Sequence, residues 1–155
     1  MPYLALLVGR NNHRRANCIN RNRIMITEIS RFPNIRLNVL GGEYHAGLFY
    51  LKGSLLERIL ETISADIAFI GTDAVSPDGG CYCYDEDTAR IAQIMIRRAK
   101  RSVLLADNTK VGAQAPVRFA GLKDFDLWIT SKGLKSGERN HLKRLTCLKE
   151  VGGEL

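Results

Sequence analysis

"SVLLADNTKVG", residues 102–112, is the stretch on which the fold turns. Val103 to Ala106 carries no polar residue. A short apolar run without alternation reads as a strand buried on both faces, the kind found in parallel sheets. The run stops abruptly at Asp107-Asn108-Thr109-Lys110-Val111-Gly112. In an open α/β sheet the carboxyl ends of the strands border the crevice where ligands bind. Asp107 and Lys110, three residues apart at such an end, have the chemistry to hold a polyol and its phosphate. The same residues also suit a plain turn, and on a surface they can simply pair with one another.

The flanking sequence repeats the pattern. Upstream, "DEDTARIAQIMIRRAKR" (85–101) opens on three acids and closes on Arg97, Arg98, Lys100 and Arg101. Both ends match a helix dipole, and Ile91, Ile94, Met95 and Ala99 form the apolar stripe. "DIAFIGTDAV" (66–75) is a second buried strand, running into Gly71-Thr72-Asp73. "SLLERILETIS" (54–64) places Leu55, Leu56, Ile59, Leu60 and Ile63 on one helical face. "IRLNVLGG" (35–42) is a strand ending on Gly41 and Gly42, and "FDLWITS" (125–131) is a further strand. Strands are predicted near 36–40, 67–71, 103–107 and 126–130, with the last two adjacent. Alternating strands and helices at this spacing predict an α/β fold, a doubly wound, mostly parallel sheet. Trp128 and the leucine stripes read as core. "ERNHLKRLTCLKE" (138–150), with Leu142, Leu145 and Leu148 three apart, reads as a basic amphipathic helix. "GRNNHRRANCINRNR" (9–23) has no apolar period and reads as poorly ordered.

The 155 residues suit one domain with a substantial core, and 45% apolar with 25% charged residues is ordinary for a globular chain. The net charge of +7 suggests nucleic acid until it is divided along the chain. Residues 1–36 hold seven arginines against Glu28, residues 132–155 carry +3, and the middle is mildly acidic. That distribution does not predict a basic DNA-reading face. Cys18, Cys81, Cys83 and Cys147 form no Cys-x-x-Cys pair and no metal-ligand spacing, so neither a metal nor a cofactor is expected. Cys81 and Cys83 fall on one face of an extended segment. The six-residue apolar run Tyr3–Val8 has its charge after it rather than before, unlike a secretory signal. No stretch approaches the ~18 apolar residues of a membrane span. A cytoplasmic protein with no membrane partner is expected.

Three strands thus end on glycine or polar clusters, and a parallel sheet brings such ends to one edge. Gly41, Gly42, Gly71, Thr72, Asp107 and Lys110 become candidates for a small-ligand site with an anionic group. Glu86 joins them at the start of the helix that follows Asp85. Asp85, Glu86 and Asp87 also have a plainer role, since acids in a helix's first turn contribute about 0.3–1 kcal/mol each through the dipole alone.

From about Ile29 to Ser131 the chain resembles the sugar-phosphate-sensing domain of DeoR-type bacterial transcriptional repressors. The resemblance runs through "PNIRLNVLGGEY", "LKGSLLERIL", "ADIAFIGTDAVSPDGG", "EDTARIAQIMIRRAKRSVLLADNTKVG" and "FDLWITS", in that order and spacing. In fold the same domain resembles ribose-phosphate isomerases and related enzymes. The resemblance implies an effector pocket for a phosphorylated sugar or sugar alcohol, lined by Gly41, Gly42, Gly71, Asp107 and Lys110. Glu86 corresponds to a place near the isomerases' acid–base carboxylate. It also implies a homo-oligomer and a regulator of a sugar or polyol operon, a galactitol-type repressor being one candidate.

The departures from the family are equally specific. The family's winged helix-turn-helix and its Asp-Ser-Gly-Thr-Thr phosphate loop have no counterpart in the sequence. The expected organisation is an unmatched basic leader over 1–27, a sensing domain lacking its first strand unit over 28–133, and a basic helical tail over 134–155. That describes a truncated repressor that keeps effector binding and oligomerisation and is not expected to read DNA. The alternative is a sugar-phosphate isomerase-like enzyme. "GTDAVSPDGGCYCYDEDTAR" lacks the glycine-rich run and the Arg-Glu-Lys helix start of those enzymes, so an enzyme is not expected.

Overall fold

The computed structural model describes residues 4–11, 15–20, 22–47 and 49–152. A seven-stranded sheet forms the frame. Its parallel half consists of β6 (Ala65–Gly71), β9 (Ala99–Leu105), β11 (Leu127–Ser131) and β12 (Leu148–Val151), adjacent in that order. On the other side of β6 lie β1 (Leu4–Asn11), β2 (Arg15–Asn20) and β3 (Ile35–Val39). β1 is antiparallel to both β6 and β2, while β2 and β3 are parallel. One reversed strand therefore sits inside a sheet whose other strands share a single direction. The strands expected at 103–107 and 126–130 are neighbours, Val103 opposite Leu127.

Residues 9–23 do not form the irregular segment that their composition predicts. Most of them build β2, the end of β1 and the start of α1 (Arg23–Ile29); residues 12–14 and 21 lie outside the described part. Arginine and asparagine hide the strand from a hydropathy reading. What fixes β2 is that its end is buried, with Cys18 at 2% and Ile19 at 9% exposure, between two hydrogen-bonded neighbours. β1 stands between β6 and β2, running opposite to both.

α2 (Ser54–Glu61) buries Leu56 and Leu60 but leaves Leu55 of the expected stripe 58% exposed. α3 (Glu86–Arg98) begins where the sequence indicates, Asp85 accepting the Thr88 N–H at 2.8 Å. It ends three residues earlier than expected. Ala99 to Arg101 open β9 instead, Ala99 opposite Ala65, with Lys100 bridging to Asp66 at 2.7 Å. A run of basic residues fits a helix end or an exposed strand start equally well, and pairing with β6 decides. Likewise the expected helix 138–150 divides into α4 (Ser136–Leu142) and β12. Thr146 donates to Phe125 O at 2.7 Å and Trp128 N–H donates to Cys147 O at 2.7 Å, drawing the chain onto the sheet.

Two small sheets stand outside the frame. β4 (Glu43–His45) and β5 (Tyr50–Lys52) form a hairpin. β7 (Ala74–Val75), β8 (Gly80–Cys83) and β10 (Val117–Gly121) pair antiparallel. Cys81 and Cys83 do share the buried face of β8. The core joins these layers through fully buried Trp128, Leu56, Leu60, Ile70, Ile91, Leu104, Leu122 and Leu142. Trp128 keeps its indole N–H satisfied by donating to Ala106 O at 2.9 Å.

Candidate functional site

The carboxyl ends of β2, β3, β6 and β9 lie along one edge of the sheet, as the register requires. Asn20 pairs with Val39, and Gly71 pairs with Leu105. The segments that follow, Gly41-Gly42, Thr72-Asp73 and Asp107–Lys110, therefore all leave the same edge. The seven candidate residues fall into two groups along it.

The first group surrounds β6 and β9. Asp107 opens a 3-10 turn, Asn108–Lys110, and its Oδ1 accepts the Thr109 N–H at 2.9 Å and the Thr109 hydroxyl. That hydroxyl bond holds the Asp107 carboxyl below its ordinary value, and the nearby Lys110 charge adds to the effect. Yet the two side chains form no ion pair, so the simple surface pairing does not describe them. The turn is fastened on both sides. Asn108 donates its N–H to Ser131 Oγ at 3.0 Å and accepts the Ser131 hydroxyl at Oδ1, 2.7 Å. On the far side Gly112 donates to Val75 O at 2.9 Å. Gly112 sits at φ 79°, a left-handed backbone that turns the chain away from the edge.

Thr72 belongs to this group as a fastening. It is 3% exposed, and its hydroxyl hydrogen lies between Ala74 O (2.9 Å) and Tyr82 O (2.8 Å) while the oxygen accepts the Tyr82 N–H at 3.1 Å. It holds the β7–β8 hairpin to the end of β6, and its buried hydroxyl is committed to backbone groups rather than turned to a ligand. Gly71 is buried at the strand end.

The second group surrounds β3 and the start of α3. Gly41 is exposed, and a Cβ placed there would meet nothing within 4 Å, so its backbone is open to a ligand. Gly42 is not. At φ 153°, a Cβ there would stand 2.5 Å from Lys52 O, so this glycine lets β5 approach rather than a ligand. Glu86 projects outward, its side chain 82% exposed, with Arg90 at 3.8 Å. Lys52 bridges to Asp87 at 3.3 Å. Together His45, Tyr50, Lys52, Asp85, Glu86 and Asp87 line a recess of about 250 Å³. Inside it the Tyr50 hydroxyl donates to Asp85 Oδ2 at 3.2 Å, and the His45 ring stacks on Tyr50 with centroids 6.0 Å apart.

Sequence reasoning missed Asn20. It closes β2, is 2% exposed, and accepts the Asn22 N–H at Oδ1, 2.7 Å, while its Nδ2 donors have no partner. This amide is an unsatisfied donor at a strand's carboxyl end, closed off from the surface. Asn22 caps α1, accepting from Ile24 N–H at 2.9 Å and Met25 N–H at 3.3 Å. The signal was there, since Asn before a helix is a cap, but the surrounding arginines obscured it. Among the described residues no His, Cys, Asp and Glu side chains gather as a metal site. No helix among them is long and apolar enough to cross a membrane.

The edge can therefore offer one ammonium, one carboxylate and an open glycine backbone to polar, anionic small molecules. Comparison with known proteins finds transcriptional regulators. The chain is 32% identical over 107 residues to the HTH-type transcriptional regulator GlpR of Haloferax volcanii, covering 69% of this chain and 42% of that protein. It is 32% identical over 104 residues to the HTH-type transcriptional repressor GlcR of Bacillus subtilis, covering 67% and 40%. To the HTH-type transcriptional regulator GolR of Listeria innocua it is 26% identical over 103 residues, covering 66% and 41%. The chain thus spans about two-fifths of the length of these relatives, all of them regulators rather than enzymes. Residues 11–132 match the DeoR C-terminal sensor domain, a stretch that starts ahead of the boundary expected at residue 28, and the chain belongs to that family.

Proposed function

We infer that this chain is the effector-sensing portion of a transcriptional regulator of a sugar or sugar-alcohol operon, working in the cytoplasm. Its ligand in this reading is a phosphorylated sugar or polyol bound along the carboxyl edge, in an isomerase-like fold used for sensing rather than catalysis. Asp107 accepts hydrogen bonds from ligand hydroxyls through the oxygen its turn leaves unused. Lys110 meets the phosphate, and Gly41 supplies an N–H donor. Gly71 and Thr72 hold the edge in shape, and Glu86 remains a solvent-facing acid at the helix start. One observation carries the reading: the Asp107–Lys110 turn is pinned by Ser131 on one side and Val75 on the other. A preorganised turn loses little freedom when a ligand binds.

The Asp-Ser-Gly-Thr-Thr loop is absent from the sequence. A charge-assisted hydrogen bond contributes roughly 1.5–3 kcal/mol, so two fewer weaken binding about a hundredfold or more. Millimolar affinity is expected. Calorimetry against a panel of sugar and polyol phosphates tests this, with Lys110→Ala expected to abolish the phosphate-dependent part. Micromolar binding that Lys110→Ala leaves unchanged overturns the assignment.

A further inference from the structure

Just beyond the Asn108–Lys110 turn, Val111 and Gly112 face α4 across a second recess, of about 280 Å³. Pro77, which follows β7, and Gly137, Glu138, His141 and Leu142 of α4 complete its lining. The apolar walls are fixed before anything binds. Leu142 is 1% exposed and belongs to the core, and Val111 packs against that core. Val111 also bridges to Val75, and the next residue, Gly112, donates its N–H to Val75 O at 2.9 Å.

Two glycines keep the space open, since a Cβ at Gly112 or at Gly137 would meet nothing within 4 Å. Gly112 has a backbone reason to be glycine, its φ of 79°. Gly137 has none. It lies in the first turn of α4, without a positive φ and without a neighbour that requires the missing side chain. Glycine within a helix costs stability, and what it leaves here is free volume beside Leu142. Two polar groups border that volume, Glu138 and His141, three residues apart and so on one face of the helix. Among the described residues neither side chain has a hydrogen-bond or ion-pair partner, whereas Arg139, between them in sequence, is bonded to Glu150.

An unneutralised carboxylate beside an apolar hollow specifies its occupant. We propose that this recess binds a small apolar amine, at a site separate from that of the phosphorylated effector. The body of the molecule lies against Pro77, Val111 and Leu142, over the two glycines. Its ammonium pairs with Glu138, and a ring nitrogen of His141 accepts a further N–H. An apolar cavity of about 150 Å³ holds one benzene ring, so this recess admits a ring with a chain of two or three atoms. Glu138 repels anions, so a sugar phosphate does not compete for the site.

2-Phenylethylamine, a ring with a two-carbon ammonium chain, is the probe. Ligand-detected NMR titration of the full 155-residue chain is expected to show saturable binding. A dissociation constant on the order of 1 mM is expected for so few heavy atoms. 2-Phenylethanol, without the charge, and phenylacetate, with the opposite charge, are expected to bind at least tenfold more weakly. Glu138→Gln, at an exposed helix position, is expected to weaken amine binding at least tenfold. Gly137→Leu fills the recess and is expected to abolish binding while the melting midpoint stays level or rises. The titration contains no sugar phosphate, so its outcome is independent of the effector assignment. Absence of saturable binding at tens of millimolar overturns the proposal, as does equal binding of amine, alcohol and acid. So does amine binding that Glu138→Gln or a folded Gly137→Leu leaves unchanged, and Glu138→Gln decides alone if Gly137→Leu does not fold.

Discussion

Gly41 and Gly42 are adjacent, yet the structure separates their roles by what a methyl group would meet. At Gly42 a Cβ would collide with a backbone oxygen of β5 at 2.5 Å, in a backbone conformation that side chains rarely adopt. Gly42→Ala must push β5 and Lys52 away, disturbing the Lys52–Asp87 bridge as well. The expected loss is about 2 kcal/mol, read as a fall of roughly 4–8 °C in melting midpoint for a chain of this size. Gly41→Ala meets nothing, so it is expected to leave the midpoint unchanged while weakening effector binding, since its added methyl stands where the ligand's approach to the backbone would be. A melting curve and a titration on the same two variants check both halves. The acidity of Asp107 belongs at this scale too. Its folded value is lowered, so the stability it contributes is present above the ordinary carboxylate range and is lost as pH falls through the lowered value. Because the group is exposed, that contribution is small.

At the scale of elements, the turn after β9 depends on β11 as much as on its own residues. Asn108→Ala removes the acceptor of the Ser131 hydroxyl and costs about 1 kcal/mol of stability. Effector affinity is expected to fall further, about three- to tenfold, because the turn presenting Asp107 and Lys110 loosens. The single tryptophan reports on this region, as its indole is bonded to Ala106 O, one residue before the turn. Its fluorescence is expected to shift on effector binding in the native chain and less in the variant. The parallel half was legible in the sequence because Val103 and Leu104, on opposite faces of β9, are both buried and give a continuous apolar run. Leu105 at its end is 36% exposed rather than buried. The Asp107 turn was legible because it interrupts such a run. β2 was not legible, since only its end is apolar and its hydrogen-bonding partners come from distant segments. Nor was β12, whose leucine spacing equally fits a helix until Thr146 and Trp128 tie that stretch to the sheet. Gly42 and Thr72 resemble ligand positions in the sequence because sequence alone cannot tell whether a glycine admits a ligand or a neighbouring strand, or whether a hydroxyl is already bonded.

At the scale of the whole molecule, the cations of the described residues are spread by the fold rather than concentrated. The arginines of α3 are used internally, Arg90 with Glu57 and Asp87, Arg97 with Glu61, and Arg98 with Ile63 O. Among the described residues, further cations gather at the two ends of the sheet, Arg31 among them paired with Glu28. Arg23, Arg31 and Arg36 lie around β3, and Lys143, Arg144 and Lys149 lie around β12, opposite ends of a seven-stranded order. A DNA duplex touching either end meets about three cations. Attachment through about three phosphates gives a salt slope near −2.7, so raising salt from 50 to 200 mM is expected to weaken binding roughly fortyfold. Nothing in these arginines reads base edges, because a basic edge contacts phosphates while sequence is read from side chains held in a groove. Fluorescence anisotropy with an operator-like and a scrambled duplex is therefore expected to give equal, weak affinities that vanish together as salt rises. Preference for one duplex that survives 200 mM salt would show a base-reading surface that the fold of the described residues does not provide.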